Sequence, residues 1–196
     1  QITEDTTGAR GKIMKTIIIL SGADRVGKST IASQLESDDC RVVHHGPPPS
    51  DRPLFDDLRD DIRDWLYSKQ SVMIWDRAYV CSYALNQPKC LGAILDFELE
   101  NKHLDIMHVG VERDWRVVAR RHIQEINLEN PGWDDISIRE EYRERMETHR
   151  RYYQRLHDFY DHITMFPAYW VESAEELVTS EILGPHRFGR LEVRPI

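Results

Sequence analysis

Five short apolar runs punctuate the chain, and the stretches between them switch to the helical period. "KTIIIL" (15–20) is β-branched and nearly continuous, and "CRVVHH", "SVMIW" and "LDIMHVGV" follow the same pattern at 40–45, 71–75 and 104–111. "ITMFPAYWV" (163–171) reads as a fifth strand, and Pro167 assigns it to an edge or a bulge. Between the runs, Leu54, Leu58, Ile62, Trp65 and Leu66 recur on one helical face, with acids and arginines opposite. Tyr142, Met146, His149, Tyr153, Leu156 and Tyr160 form a second stripe, expected to pack rather than to bind a cofactor. "GPPPSDRP" (46–53) reads as a stiff extended connector. Apolar strands separated by helices predict a parallel sheet covered on both faces.

Composition narrows the picture. A chain of 196 residues suits one domain, here 14–196, with an inserted helical segment. The net charge of −8 does not advertise a nucleic-acid surface, although a local basic groove is compatible with it. Cys40, Cys81 and Cys90 have neither disulfide-framework nor zinc spacing, which fits a reducing, cytoplasmic setting. No apolar run is long enough to span a membrane. Residues 1–13 are polar and are expected to be a flexible segment outside the fold.

The sharpest local signal is "GADRVGKS", Gly22 to Ser29, which satisfies G-x-x-x-x-G-K-[ST] after a strand and before a helix. In such a turn, backbone amides bind phosphate oxygens and the two glycines permit close approach. Lys28 adds a charge at the terminal phosphates, Ser29 can ligate Mg²⁺, and the helix dipole favours the anion. The main chain of Ala23, Val26 and Thr30 belongs to the same cradle. These residues predict binding of a nucleoside triphosphate, ATP with Mg²⁺.

"WDRAY" (75–79) follows the third strand. Asp76 at a strand end can serve Mg²⁺ or take a proton, and Arg77 can fork onto a phosphate. The plainer reading is an Asp that caps the next helix and pairs with its neighbouring Arg.

"LSGADRVGKST" together with "WDRAY" resembles the thymidylate kinases and, more widely, the nucleoside monophosphate kinases and deoxynucleoside kinases. The resemblance implies a three-layer α/β sandwich with a five-stranded parallel sheet in the order 2-3-1-4-5. It also implies that Asp24 meets the acceptor, that Arg25 reaches the transferring phosphoryl group, and that Arg77 holds the acceptor's phosphate. The other reading of Asp24 and Arg25 is a mutual surface ion pair. The resemblance is poor over the acceptor wall: residues 31–75 are fewer than the family uses and lack its Arg- and Phe-bearing segment. Base identity is therefore not carried over, and a more open site is expected.

"VERDWRVVARRHIQEINLENPGWDD" carries Arg113, Arg116, Arg120 and Arg121 where P-loop kinases place a lid, here about 113–140, and the spacing puts Arg113, Arg116 and Arg120 on one helical face. Arg116 and Arg120 are candidates for the triphosphate; a solvated Arg/Glu-rich helix pair is the alternative. Ser173 and Glu176 read as a capping box on the last helix, beside the adenine by analogy with the fold class. His44 and His45 end the second strand and are candidates for the acceptor side, against a packing role; Asp51 and Arg52 are equally ambiguous.

Three functions follow in order: a Mg²⁺/ATP-dependent kinase of deoxynucleoside monophosphates, a kinase of a hydroxyl within DNA such as a hydroxymethylated base, and a nucleotide-gated regulatory protein. The resemblance further implies nucleotide substrates and a homodimer as one assembly.

Overall fold

The computed structural model describes residues 15–45, 54–85, 90–179 and 193. The expectations for residues 1–13 and for the "GPPPSDRP" connector with Asp51 and Arg52 lie outside the described residues.

Five parallel strands form one sheet in the order β2-β3-β1-β4-β5. They are β1 (Thr16–Ser21), β2 (Cys40–His44), β3 (Val72–Asp76), β4 (Asp105–Val111) and β5 (Ala168–Val171). The helices are α1 (Lys28–Leu35), α2 (Leu54–Leu66), α3 (Tyr79–Ala84), α4 (Leu91–Glu100), α5 (Trp115–Glu129), α6 (Asp135–His162) and α7 (Ala174–Thr179). The order agrees with the one the sequence implied. β1 is central and buried at every position, because Ile17, Ile18 and Ile19 cover both faces of the sheet. Register then sets the site: Leu20 lies opposite Asp76, Ser21 opposite Gly110, and His44 opposite Asp76. The carboxyl ends of β1, β2 and β3 thus converge on one edge, where open parallel sheets place ligands.

The apolar stripe of α2 is Phe55, Leu58, Ile62 and Trp65; Leu66, expected on this face, is exposed. α3 and α4 occupy the link between β3 and β4, to which the periodicity had assigned no element. α6 is one continuous helix of 28 residues. Its C-terminal half buries Tyr152, Tyr153, Leu156 and Phe159, whereas Tyr142, Met146 and His149 are half-buried because that half runs over a cleft.

The fifth run is shorter as a strand than its apolarity suggested. Thr164 Oγ1 and the Met165 amide donate to the buried Glu98 carboxylate at 2.8 and 2.9 Å, which turns the chain away from the sheet. Pro167 has no amide to donate. Its carbonyl accepts from the His108 amide at 2.8 Å, and β5 begins one residue later on the sheet edge. Tyr79 Oη also donates to Glu98, at 3.0 Å, and His108 Nε2 lies 3.3 Å away. Burial opposes ionisation of Glu98, but the contacts with His108, the Met165 amide and Thr164 outweigh it and hold the carboxyl below its ordinary range. Burial draws the pKa of His108 below the ordinary histidine value, against the opposing pull of Glu98. The cluster ties α3, α4, β4 and the α6–β5 link together.

Candidate active site

The turn between β1 and α1 is shaped by contacts that only certain residues allow. A Cβ on Gly22 would stand 2.7 Å from the Val111 carbonyl, so no side chain fits there. Gly27 has φ of 102°, in the left-handed region, and ends the loop as the N-cap of α1. No side chain caps that helix, so its first amides face the concavity. Tyr152 Oη accepts a hydrogen bond from the Gly22 amide at 3.2 Å and donates to Cys81 Sγ at 3.1 Å. Tyr153 Oη donates to the Val111 carbonyl. Two adjacent tyrosines of α6 therefore hold the first residue of the loop and the neighbouring end of β4.

Lys28 is 5% exposed, and its Nζ donates to the Gly22 and Ala23 carbonyls at 2.7 and 2.8 Å. Burial draws its pKa below the ordinary lysine value. A phosphate entering the loop would offer this ammonium a stronger, charged acceptor.

Ser29 Oγ donates to Asp76 Oδ2 at 2.6 Å, and His44 Nδ1 lies 2.9 Å from the same oxygen. Asp76 is almost fully buried, and its Oδ1 has no hydrogen-bond partner among the described residues. A buried carboxylate oxygen left free beside a serine hydroxyl suits a hydrated Mg²⁺ held mostly by phosphate oxygens. Among the described residues no group of three His, Cys, Asp or Glu side chains could hold a metal by itself.

Arg25 and Arg77 have φ of 69° and 71°, and they are the described non-glycine residues with positive φ. Each is held there by specific contacts. Arg77 Nη2 donates to Asp24 Oδ1 at 2.8 Å. Arg25 Nε donates to Glu125 Oε2 at 2.8 Å, and its Nη2 meets the other carboxylate oxygen. Arg121 Nη1 donates to the Arg25 carbonyl at 2.6 Å, and Arg113 Nε to the Val26 carbonyl at 3.0 Å. Asp24 and Arg25 thus do not pair with each other; each reaches a different element.

These contacts rearrange the expected arginines. Arg113 precedes α5 rather than sharing a face of it, and Arg113 and Arg121 are the ones that touch the loop. Arg116 and Arg120 are exposed, and Arg116 lies over the Trp115 ring at 5.7 Å.

Among the described residues, two recesses border the loop and a third lies beyond Arg113. One, of about 280 Å³, lies directly over Gly27, Lys28, Ser29 and Thr30 and is walled by Asp24, Arg25 and Arg77. The second, about 440 Å³, opens between the loop, α3, α5 and α6 and includes Cys81, His122, Glu125, Arg145 and Tyr152. The third, about 410 Å³, is lined by Arg113, Trp115, Trp170 and Glu172. Beside it, Ser173 Oγ accepts from the Glu176 amide at 3.1 Å, while the Glu176 carboxylate accepts from Glu172 N, one residue before the expected position.

His44 and His45 do not line the second recess. His44 sits on Asp76. His45 packs edge-on against Trp75, with Nε2 3.1 Å from Asp61 Oδ2 but not aligned for a hydrogen bond.

The sequence reading did not single out Tyr152, Cys81, His122, Glu125 or Arg145. Tyr152 was detectable as the partner of Tyr153 in the α6 stripe. Glu125 and Arg145 were hidden in the Glu/Arg-rich background.

No family model matches the chain, and no curated protein matches it. Among solved structures, the chain is similar to polyphosphate kinase 2 from Arthrobacter aurescens TC1, with a TM-score of 0.55 and 15% identity over 95% of this chain and 73% of that one. It is also similar to the YorR protein of Bacillus subtilis, solved in complex with phosphorylated GDP, with a TM-score of 0.51 and 18% identity over 87% of this chain and 92% of that one. At these identities the likeness is one of fold: a five-stranded P-loop kinase-type α/β sheet.

Proposed function

We propose that the chain is a phosphotransferase that moves the γ-phosphoryl group of Mg·ATP to a nucleoside- or nucleotide-type acceptor. The observation that carries this reading is the sharing of Asp24, Arg25 and Arg77 between the recess over the phosphate loop and the larger recess beside it. A donor in the first and an acceptor in the second would meet at these three side chains. The names of the structural neighbours, a polyphosphate kinase and a protein bound to a phosphorylated nucleotide, agree with phosphoryl chemistry.

The roles follow from placement. The loop amides and Lys28 bind the β- and γ-phosphates. Arg25 meets charge that spreads over the transferring oxygens, and Asp24 and Arg77 orient the acceptor. Ser29 and Asp76 are the residues that would hold Mg²⁺, which when bound neutralises phosphate charge. His44 positions Asp76 through its Oδ2. The recess between Arg113 and Trp170 suits the donor base, with Arg113 and the Trp115 and Trp170 rings as walls.

Two acceptor readings stand. A deoxynucleoside monophosphate follows from the resemblance and requires Arg77 to exchange Asp24 for the acceptor's phosphate. A hydroxyl-bearing group, free or within DNA, follows from the short acceptor wall. Calorimetric titration with ATP and Mg²⁺ tests the common premise: saturable one-site binding is expected, and loss of it in Lys28→Ala with the fold retained. No binding of ATP or GTP in magnesium buffer would end the reading.

A further inference from the structure

Carboxylates outnumber guanidinium groups among the described residues that line the cleft between the β1–α1 loop, α3, α5 and α6. Resting on the kinase reading, we infer that the acceptor enters this cleft as an uncharged, hydroxyl-bearing nucleoside-type group and not as a phosphate monoester.

Among the described residues, the cations that line the cleft are Arg25, Arg77 and Arg145, and each is already engaged. Arg77 is on Asp24 and Arg25 is on Glu125. Arg145 meets Glu141 at 2.6 Å, Glu129 at 2.8 Å and Glu125 at 3.2 Å. The same wall adds Glu144, so Asp24 and the four glutamates outnumber the three arginines. His122 and His149 do not redress the balance. Burial, with the neighbouring Arg145 and Arg25, lowers the pKa of His122, and burial brings His149 to about 4. A phosphate dianion would have to break an ion pair and then sit among the released carboxylates.

The same wall offers hydrogen bonds to a neutral ligand. His122 is 6% exposed, and neither of its ring nitrogens has a partner among the described residues. His149 Nδ1 is also without one, and the two rings are 6.3 Å apart. A neutral imidazole can donate at one nitrogen and accept at the other, which matches a nucleobase edge or a hydroxyl. Cys81, Leu85 and Tyr152 supply the less polar side of the cleft. Buried polar groups kept without partners in the empty cleft gain most from a ligand that pairs with them.

The reaction then balances as follows. The acceptor hydroxyl oxygen forms a bond to the γ-phosphorus, and the bond from that phosphorus to the β,γ-bridging oxygen breaks. The nucleoside diphosphate leaves with the electron pair. The hydroxyl proton passes to the Asp24 carboxylate, which is exposed and returns it to solvent. The product is a phosphomonoester in an acid-lined cleft, so repulsion that excludes phosphate on entry drives the product out.

The test is calorimetric titration of the full chain, with and without Mg²⁺ and a non-hydrolysable ATP analogue. One arm uses the four common deoxynucleosides and 5-hydroxymethyldeoxyuridine; a second uses their 5′-monophosphates; a third uses a short single-stranded oligonucleotide carrying 5-hydroxymethyluracil. At least one nucleoside is expected to bind about tenfold or more tightly than its own monophosphate. Oligonucleotide binding without nucleoside binding would assign the neutral group to a strand. Glu144→Gln, at an exposed position, should narrow the gap between nucleoside and monophosphate. His122→Phe should weaken the nucleoside about tenfold and leave the ATP analogue unaffected, with His122→Asn between them. Monophosphates that bind as tightly as nucleosides overturn the inference, as does the absence of binding in both the nucleoside and oligonucleotide arms. Failure of the ATP analogue alone overturns the kinase reading instead.

Discussion

Arg25 of the phosphate loop is ion-paired to Glu125 of α5, and the carbonyl of the same arginine accepts a hydrogen bond from Arg121. Helix α5 therefore grips both the side chain and the backbone of one residue, whose left-handed φ costs about 1–2 kcal/mol for a side chain of this kind. The grip offsets that cost and holds the guanidinium beside the recess over Lys28 and Ser29.

If Arg25 meets charge in the transition state, Arg25→Ala should lower kcat by about 10³ or more with little change in ATP affinity. Glu125→Gln should give a smaller loss of kcat, because the guanidinium remains but is no longer held. Single-turnover kinetics alongside calorimetry separates the two quantities. Equal losses in rate and affinity would assign Arg25 to ground-state binding.

Lys28→Ala should abolish turnover and cost little stability. The ammonium satisfies two loop carbonyls, and water can replace it there once the side chain is shortened. Circular dichroism should show a wild-type spectrum. Near-wild-type turnover in this variant would remove the phosphate cradle from the mechanism.

Tyr152→Phe removes a hydroxyl that accepts from the Gly22 amide and donates to Cys81. The buried amide loses its partner, so a destabilisation of about 1–2 kcal/mol is expected from denaturant titration. ATP affinity should fall as well, since the first amide of the loop is no longer braced. Unchanged values in both measurements would make the tyrosine a packing residue only.

Gly110→Ala tests the β4–β5 seam. A Cβ there would lie 2.5 Å from the Trp170 ring, which is stacked on His157 with centroids 4.2 Å apart and has little room to shift. A loss of about 1–3 kcal/mol is expected from overpacking. A thermal midpoint equal to wild type would show that Trp170 moves freely.

Stability should fall as pH is lowered from about 6.5 to about 4, the interval between the ordinary histidine value and that of His149 in the fold. The sign follows from proton uptake: burial disfavours the charged imidazole, so across this window the unfolded chain binds the proton and the folded chain does not. His122 is shifted in the same direction. Thermal midpoints at pH 7, 5.5 and 4.5 should decline in the wild type and decline less in His149→Gln. Parallel slopes would show that His149 titrates normally.

The turn between β1 and α1 was legible because its geometry is local. Two glycines, a lysine and a serine at fixed spacing after a β-branched run specify a turn, a charge and a helix start together. The strand order came from resemblance, and the register of the parallel sheet agreed with it. The errors arose where neighbours along the chain stop being neighbours in space. Leu66 continued the apolar count of α2 but lies past the end of the buried stripe. "ITMF" looked like strand until Glu98, from a distant helix, claimed Thr164 and Met165. Spacing placed Arg113, Arg116 and Arg120 on one helical face, yet α5 starts after Arg113.

By itself, the sequence determined the five apolar runs, the helical stripes of α2 and α6, the position of the glycine-bounded turn after β1 and the residue types at its rim. Periodicity and short spacings encode those properties within a few turns of chain. Only the tertiary structure decided that Asp24 meets Arg77, that Arg25 meets Glu125, that His44 serves Asp76, and that His122 and His149 face an acid-lined cleft. Each of these depends on which elements fold against one another. In a chain with this many arginines and acids, composition allows many pairings and packing selects a few.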